Sequence, residues 1–205
     1  VPPRDGSGQP TVWAEGDSHA GHLHTMLLEL HKATGAGFHV IEAHARAFPG
    51  PYEKEYAPRE KIHRAIVERL EPGDILLIAR NYMTTRPFLR PFDDIDEWIE
   101  RVDALAETLY VRGVATVVVG PLPRFGFEDR RQCLASQLAC REPRQDHAAI
   151  ILPIQAKLEA LQAGNKGIHL FDLFSALCPP GDDYCEVRIA GDFIYRDAHH
   201  LNTVG

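Results

Sequence analysis

Pro72-Gly73-Asp74-Ile75-Leu76-Leu77-Ile78-Ala79-Arg80-Asn81-Tyr82 is the stretch from which the architecture follows. Five apolar residues in a row leave no polar face, so a strand here must be covered on both sides, as in the interior of a parallel sheet. Pro72-Gly73-Asp74 supplies the turn that starts it. Before that turn, residues 58–70 place Ile62, Ala65, Ile66 and Leu70 at helical spacing. After the strand, residues 93–112 read as a long helix. Its first turn holds Asp93, Asp94 and Asp96, as the helix dipole favours.

The same alternation runs outward in both directions. Thr11-Val12-Trp13-Ala14 is a short apolar strand, and Gly16 allows a tight turn after it. A helix is expected over 19–34, with Ala20, Leu23, Leu27 and Leu30 in phase and Gly35 and Gly37 ending it. Phe38-His39-Val40-Ile41 forms a second strand, followed by an irregular stretch with Pro49-Gly50-Pro51. Downstream come a strand over 115–119, a helix over 145–163 and a last strand at Ile168-His169-Leu170-Phe171-Asp172. Two polar, cysteine-bearing excursions interrupt the series at 124–144 and 178–195, the second with a hairpin at Ala190-Gly191-Asp192. The pattern predicts an α/β fold. A five-stranded parallel sheet of flavodoxin-like order 2-1-3-4-5 lies between helical layers, with right-handed crossovers. Residues 1–10, rich in Pro and Gly, read as a linker, and 11–205 as one domain.

Composition narrows the function classes. The chain has 205 residues, 44% hydrophobic and 25% charged, which suits one ordinary globular domain. A net charge of −7 counts against a nucleic-acid partner. No run approaches the ~18 apolar residues of a membrane span, and no signal peptide opens the chain. Cys133/Cys140 and Cys178/Cys185 each enclose six residues, wider than the usual spacing of zinc pairs. They read as two local disulfides, with free thiols as the alternative, and so place the chain in an oxidising compartment. Together with the missing signal peptide, this implies something upstream of residue 1.

The chemistry lies at the two ends. Ser18, in Glu15-Gly16-Asp17-Ser18-His19-Ala20, stands where the first strand gives way to a helix. It is either an N-cap or a side chain placed where free backbone N–H groups stabilise negative charge. Asp197-Ala198-His199-His200-Leu201-Asn202 decides for the second reading. An imidazole that takes the serine proton makes a nucleophile of a weak hydroxyl, and a carboxylate holds that imidazole in the required tautomer. The Asp-x-x-His spacing selects His200 as base, one turn from Asp197 in a final helix, with His199 turned to the cleft mouth or solvent. Asp17 is expected to bond loop backbone, His19 to pack and Leu201 to anchor the block on the sheet.

Ligands of open α/β sheets bind where strand order reverses, between strands one and three here, which brings Ser18 and Asn81 to one edge. Acyl transfer also needs donors for the oxyanion, and the Ser18 backbone N–H is the first. A metal site built from His19, His22, His24, His199 and His200 is not expected: His22 and His24 cannot share a helix face, and no carboxylate has matching spacing. No cofactor is required. Tyr82, Phe88, Phe92 and Trp98 either line a glycan platform or belong to the core.

Gly16-Asp17-Ser18-His19 resembles the first signature block of the SGNH (GDSL-like) hydrolases, and Asp197-x-x-His200 resembles their last. The variant is most similar to the SGNH domain fused to bacterial acyltransferase-3 membrane proteins, which O-acetylate surface glycans. There the last block reads Asp-x-x-His-Leu-Ser followed by Gly; here Asn202 replaces the Ser, and Gly205 follows. The resemblance runs from Val12 to Gly205. It implies the SGNH hydrolase fold and two further oxyanion donors, a glycine N–H and an asparagine side chain. Asn81 matches the asparagine in part, since the family's Gly-x-Asn-Asp is missing, and Gly50 is the glycine candidate.

The resemblance also implies an acyl-Ser18 intermediate. Its acetyl group would pass from a donor to a glycan hydroxyl, with an upstream membrane acyltransferase-3 domain as partner. The placement implied is periplasmic or extracellular, tethered to the inner membrane. A stand-alone carbohydrate acetylesterase would use the same residues. A glycan-binding module with an inactive triad is the rival of another class.

Overall fold

The computed structural model describes residues 9–43, 46–51, 57–84, 89–127, 130–135 and 140–205. Five strands form one sheet: β1 (Thr11–Gly16), β2 (Gly37–Glu42), β3 (Ile75–Ala79), β4 (Ala115–Val119) and β6 (Ile168–Phe171). Their order is β2-β1-β3-β4-β6, all parallel. This is the expected order, with β6 in fifth place because β5 (Arg141–Pro143) lies outside the sheet. Leu76 and Ile78 of β3 are fully buried, as a strand with both faces covered requires.

The crossover segments are α2 (His24–Thr34), α3 (Ala57–Arg69), α4 (Ile95–Val111) and α6 (Arg144–Gly164). Right-handed crossovers put α2 on one face and α3, α4 and α6 on the other. The α4 and α6 helices touch: Lys157 Nζ lies 2.5 Å from Asp96 Oδ1, and Asn165 Nδ2 donates to Asp103 Oδ1 at 2.6 Å. Trp98, Val102, Ala106 and Leu109 of α4 are completely buried.

Both cysteine pairs form disulfides, Cys133–Cys140 and Cys178–Cys185. The first excursion holds the short α5 (Arg130–Ala135) and β5. The second follows α7 (Leu173–Leu177) and contains β7 (Tyr184–Glu186), which pairs antiparallel with β5 and so ties the excursions together. The expected hairpin is present as β8 (Arg188–Ile189) and β9 (Asp192–Phe193). Ala190 and Gly191 both have positive φ at its turn, the geometry that matches strand twist in a two-residue hairpin.

Two expectations fail, both at the edges of the site. The single helix over 19–34 is broken into α1 (Ser18–Gly21) and α2. The Leu23 N–H reaches back three residues to the Ala20 carbonyl instead of four. Gly21 also sits against Glu42 so closely that a side chain there would meet its carboxylate. A glycine is a weak helix residue, and at this crowded point it marks the break. The final helix is absent as well. The Asp197 carboxylate takes the N–H groups of His199 and His200, Arg196 N–H donates to the His200 carbonyl at 2.7 Å, and Tyr195 bridges antiparallel to Leu201. An aspartate that captures the amides after it offers the chain an alternative to helix.

Candidate active site

The carboxyl edge of β1 and β3 holds the first half of the site. Gly16 pairs with Ala79, and a side chain at Gly16 would run into the Ala79 carbonyl, so the approach of the strands requires glycine. Asp17 then caps α1. Its Oδ1 accepts from His19 N–H at 2.9 Å and its Oδ2 from Asn81 N–H at 2.7 Å. One buried carboxylate thus locks the turn after β1 to the turn after β3, as expected for Asp17. Ser18 is the first residue of α1, and its own N–H donates to no described residue.

The second half arrives on the 196–201 loop. Phe125 N–H donates to the Ala198 carbonyl at 2.9 Å, Tyr195 Oη donates to the Pro123 carbonyl at 2.9 Å, and Leu201 is buried in the core. These contacts fix the loop against the segment after β4. His200 Nε2 lies 2.9 Å from Ser18 Oγ across 182 residues of sequence. His200 Nδ1 is 2.8 Å from both Asp197 oxygens. An ionised carboxylate only accepts, so Nδ1 carries the proton and Nε2 presents its lone pair to the serine. The arrangement can take a proton from Ser18 Oγ and hold the resulting imidazolium.

Electrostatics separate the two aspartates. Burial raises the Asp17 pKa, against the opposing pull of the Asn81 and His19 amides and Arg80. Burial also opposes ionisation of Asp197, but the His199 and His200 amides and the His200 ring outweigh it and hold that carboxyl below its ordinary value. The surrounding histidines are kept neutral. Burial, then His200 and Arg196, lowers His22 to about 3. Burial, then Arg124, lowers His199 to about 4. His19 is pushed well below its usual range by burial and by His22 and His199.

His199 corrects its expectation. It does not turn to the cleft mouth or solvent; its Nδ1 accepts from Arg124 Nη2 at 3.1 Å, and its ring lies 4.0 Å from that of His200. His19 packs as expected, 7% exposed beside the rings of His22 and His199. Ligand atoms of His19, His199 and His200 lie within 4.8 Å of one another. The Arg124 guanidinium against His199 makes that cluster hostile to a cation.

Asn81 lines a small recess with His19, Arg124 and His199. Its Oδ1 accepts from Met83 N–H at 3.2 Å and from Arg124 Nη1 at 3.4 Å. Only the amide oxygen can receive both, so Nδ2 is left as a donor. At Gly50 an added Cβ would meet only the Ala47 carbonyl, the preceding Phe48 and Pro49 carbonyls accept from Trp98 and Arg101 of α4, and among the described residues no hydrogen bond joins it to Ser18. Tyr82 and Trp98 are buried at 2% and 0% exposure and form core rather than a glycan platform; Phe88 lies outside the described residues.

Beside Ser18 runs an open groove whose walls include His22, Glu42, Arg196 and Asn202. Sequence reasoning missed Arg124 and Glu42 as parts of this region and weighed His22 only as a metal ligand. Arg124 had a signal, since it follows Gly120-Pro121-Leu122-Pro123 at the end of β4, on the edge where ligands bind. Glu42, at the end of β2, had none, and His22 reaches the groove just past the non-periodic break after Gly21.

The family follows from the whole chain. Residues 2–205 match the model of the SGNH domain fused to AT3 domains. The chain belongs to this SGNH family. The periplasmic domain of a lipopolysaccharide acetyltransferase from Salmonella Paratyphi A has a similar fold, with a TM-score of 0.66 at 13% identity, covering 96% of this chain and 78% of that one. A Slackia heliotrinireducens protein described as an SGNH hydrolase gives 0.63 at 13% identity, over 96% and 92% of the two chains. No curated protein matches the chain in sequence. At such identities the likeness is one of fold, and it establishes the SGNH hydrolase architecture. Among the described residues no helix is long and apolar enough to cross a membrane.

Proposed function

We propose that this SGNH domain is a serine O-acetyltransferase that passes an acetyl group through Ser18 to a glycan hydroxyl. The observation that carries the reading is the linear chain Asp197–His200–Ser18, with contacts of 2.8 and 2.9 Å. Ser18 Oγ attacks the acetyl carbonyl while His200 Nε2 takes its proton. The negative charge that moves onto the carbonyl oxygen is met by the Ser18 N–H and Asn81 Nδ2, neither of which has an acceptor among the described residues. Collapse expels the leaving group, which receives the proton from His200, and acetyl-Ser18 remains. A sugar hydroxyl then repeats the sequence in reverse, with His200 again the base. Gly50 is assigned no step.

The fused acyltransferase-3 partner described for this family, and the neighbouring lipopolysaccharide acetyltransferase domain, support a membrane domain that delivers acetyl to the periplasmic or extracellular side. The two disulfides are consistent with that compartment.

The test is acetate release from 4-nitrophenyl acetate by the wild-type chain and by Ser18→Ala, followed by a screen of glycan acceptors. Serine-dependent turnover that shifts from acetate to acetyl-glycan on adding an acceptor is expected. Turnover unaffected by any acceptor would make the protein an esterase. Equal rates with and without the Ser18 hydroxyl, together with glycan binding, would make it a binding module.

A further inference from the structure

None of these steps uses Arg124. Arg124 is 2% exposed; burial lowers its pKa, and Asp197, the carboxylate that opposes this, acts through space without a direct ion pair to it. A guanidinium withdrawn from water without a paired anion is costly to hold. Its hydrogen bonds show where that charge is directed. Nη1 donates to the Met83 carbonyl at 2.8 Å and makes a longer contact of 3.4 Å to Asn81 Oδ1, while Nη2 donates to His199 Nδ1 at 3.1 Å. The cation is therefore anchored by a backbone carbonyl on one side and an imidazole on the other, with the Asn81 carboxamide oxygen between them.

We propose that Arg124 is a positioning residue that acts through Asn81: it holds the carboxamide with its oxygen inward and strengthens Nδ2–H as a donor to the oxyanion. The inference rests on the reading of Asn81 as an oxyanion donor. Two physical effects support it. A carboxamide oxygen bonded by both Met83 N–H and a guanidinium cannot flip without losing both bonds, so Nδ2 stays in place before the reaction starts, which is where preorganised donors gain their advantage. A positive charge beside Oδ1 also polarises the amide, and linked hydrogen bonds of this kind reinforce one another in a low-dielectric site. The 3.4 Å separation makes the second effect one of charge and dipole more than of a strong bond. Beside the through-space pull of Asp197, the oxyanion is, on this view, the second negative charge for this guanidinium, felt through the amide.

A double-mutant cycle on 4-nitrophenyl acetate hydrolysis tests this. Asn81→Ala should lower kcat about 10²-fold or more, the usual cost of one oxyanion donor. Arg124→Met should lower kcat about 10–100-fold with KM changed less than about threefold. Arg124→Lys keeps a cation but cannot span Asn81 and His199, and is expected between the two. In the Asn81→Ala background either Arg124 substitution should cost less than about threefold, because its target is gone. A mere packing role would instead lower the melting temperature and multiply through in both backgrounds. If Arg124→Met or Arg124→Lys costs its full factor on top of Asn81→Ala, Asn81 keeps its role and this inference falls. If Asn81→Ala turns over like wild type, the donor assignment falls and takes the inference with it.

Discussion

At the corner between β1 and α1, Asp17 is buried and takes two backbone N–H groups, one from its own turn and one from the turn after β3. In the 196–201 loop, Asp197 has a side chain 30% exposed and takes two amides of its own loop and an imidazole as well. Both carboxylates organise a turn. Burial dominates at Asp17 and raises its pKa, whereas hydrogen bonds prevail at Asp197 and lower it. The same side chain thus serves as a staple between strands in one region and as an orienting anion in the other. Which it becomes depends on whether its partners are only amides or include a group that must accept a proton.

That contrast can be broken most sharply at the histidine. His200→Ala should lower kcat by about 10³–10⁴, and Asp197→Asn, which frees the imidazole to adopt the wrong tautomer, by a similar factor. The melting temperature of each should stay close to wild type, and His199→Ala should keep most of the activity. Loss in His199→Ala with retention in His200→Ala would exchange the roles of the two rings. Asp17→Asn should invert the pattern. With one acceptor oxygen in place of two, it should destabilise by about 1–2 kcal/mol in urea unfolding while kcat falls less than about tenfold.

The histidines around Asp197 give a weaker and pH-dependent signature. His22 is held near 3 and His199 near 4, against an ordinary 6.5. Below pH 6.5 the unfolded chain therefore takes protons that the folded chain refuses, so stability is full above 6.5 and declines as pH falls toward 4. Thermal unfolding between pH 7 and 4.5 should show that slope, and His22→Gln should flatten it; an unchanged slope would locate the acid lability elsewhere. Smallest of all, Gly50→Ala should change turnover less than about threefold, since a Cβ there meets only the Ala47 carbonyl at 3.1 Å. A loss near 10² would return Gly50 to the oxyanion site.

The two regions also differ in how far the sequence disclosed them. The corner was legible because each of its features is local. An apolar run, a glycine and an aspartate–serine pair announce a strand, a close approach and a turn, and the regular alternation of strands and helices supplied the sheet order. The 196–201 loop disclosed its residues but not its shape. Asp-x-x-His fits a helical turn, yet Asp197 keeps the His199 and His200 amides, and the bridge from Tyr195 to Leu201 closes the loop on itself. His199 was misread for a related reason: its direction is set by Arg124, 75 residues away. The broken first helix belongs to the same class, since what crowds Gly21 is Glu42 at the end of β2. Periodicity reports what a segment does by itself, and these three outcomes are decided by what it meets.

The contact between Ser18 and His200 spans 182 residues, which gives the protein a schedule. Ser18 gains the imidazole bonded to Asp197 only when the 196–201 loop has docked on the segment after β4. A chain in which that loop has not yet docked on Pro123 and Phe125 would carry Ser18 without its base. The Ser18–His200 pair would then form in a single step, as the loop closes, and not residue by residue.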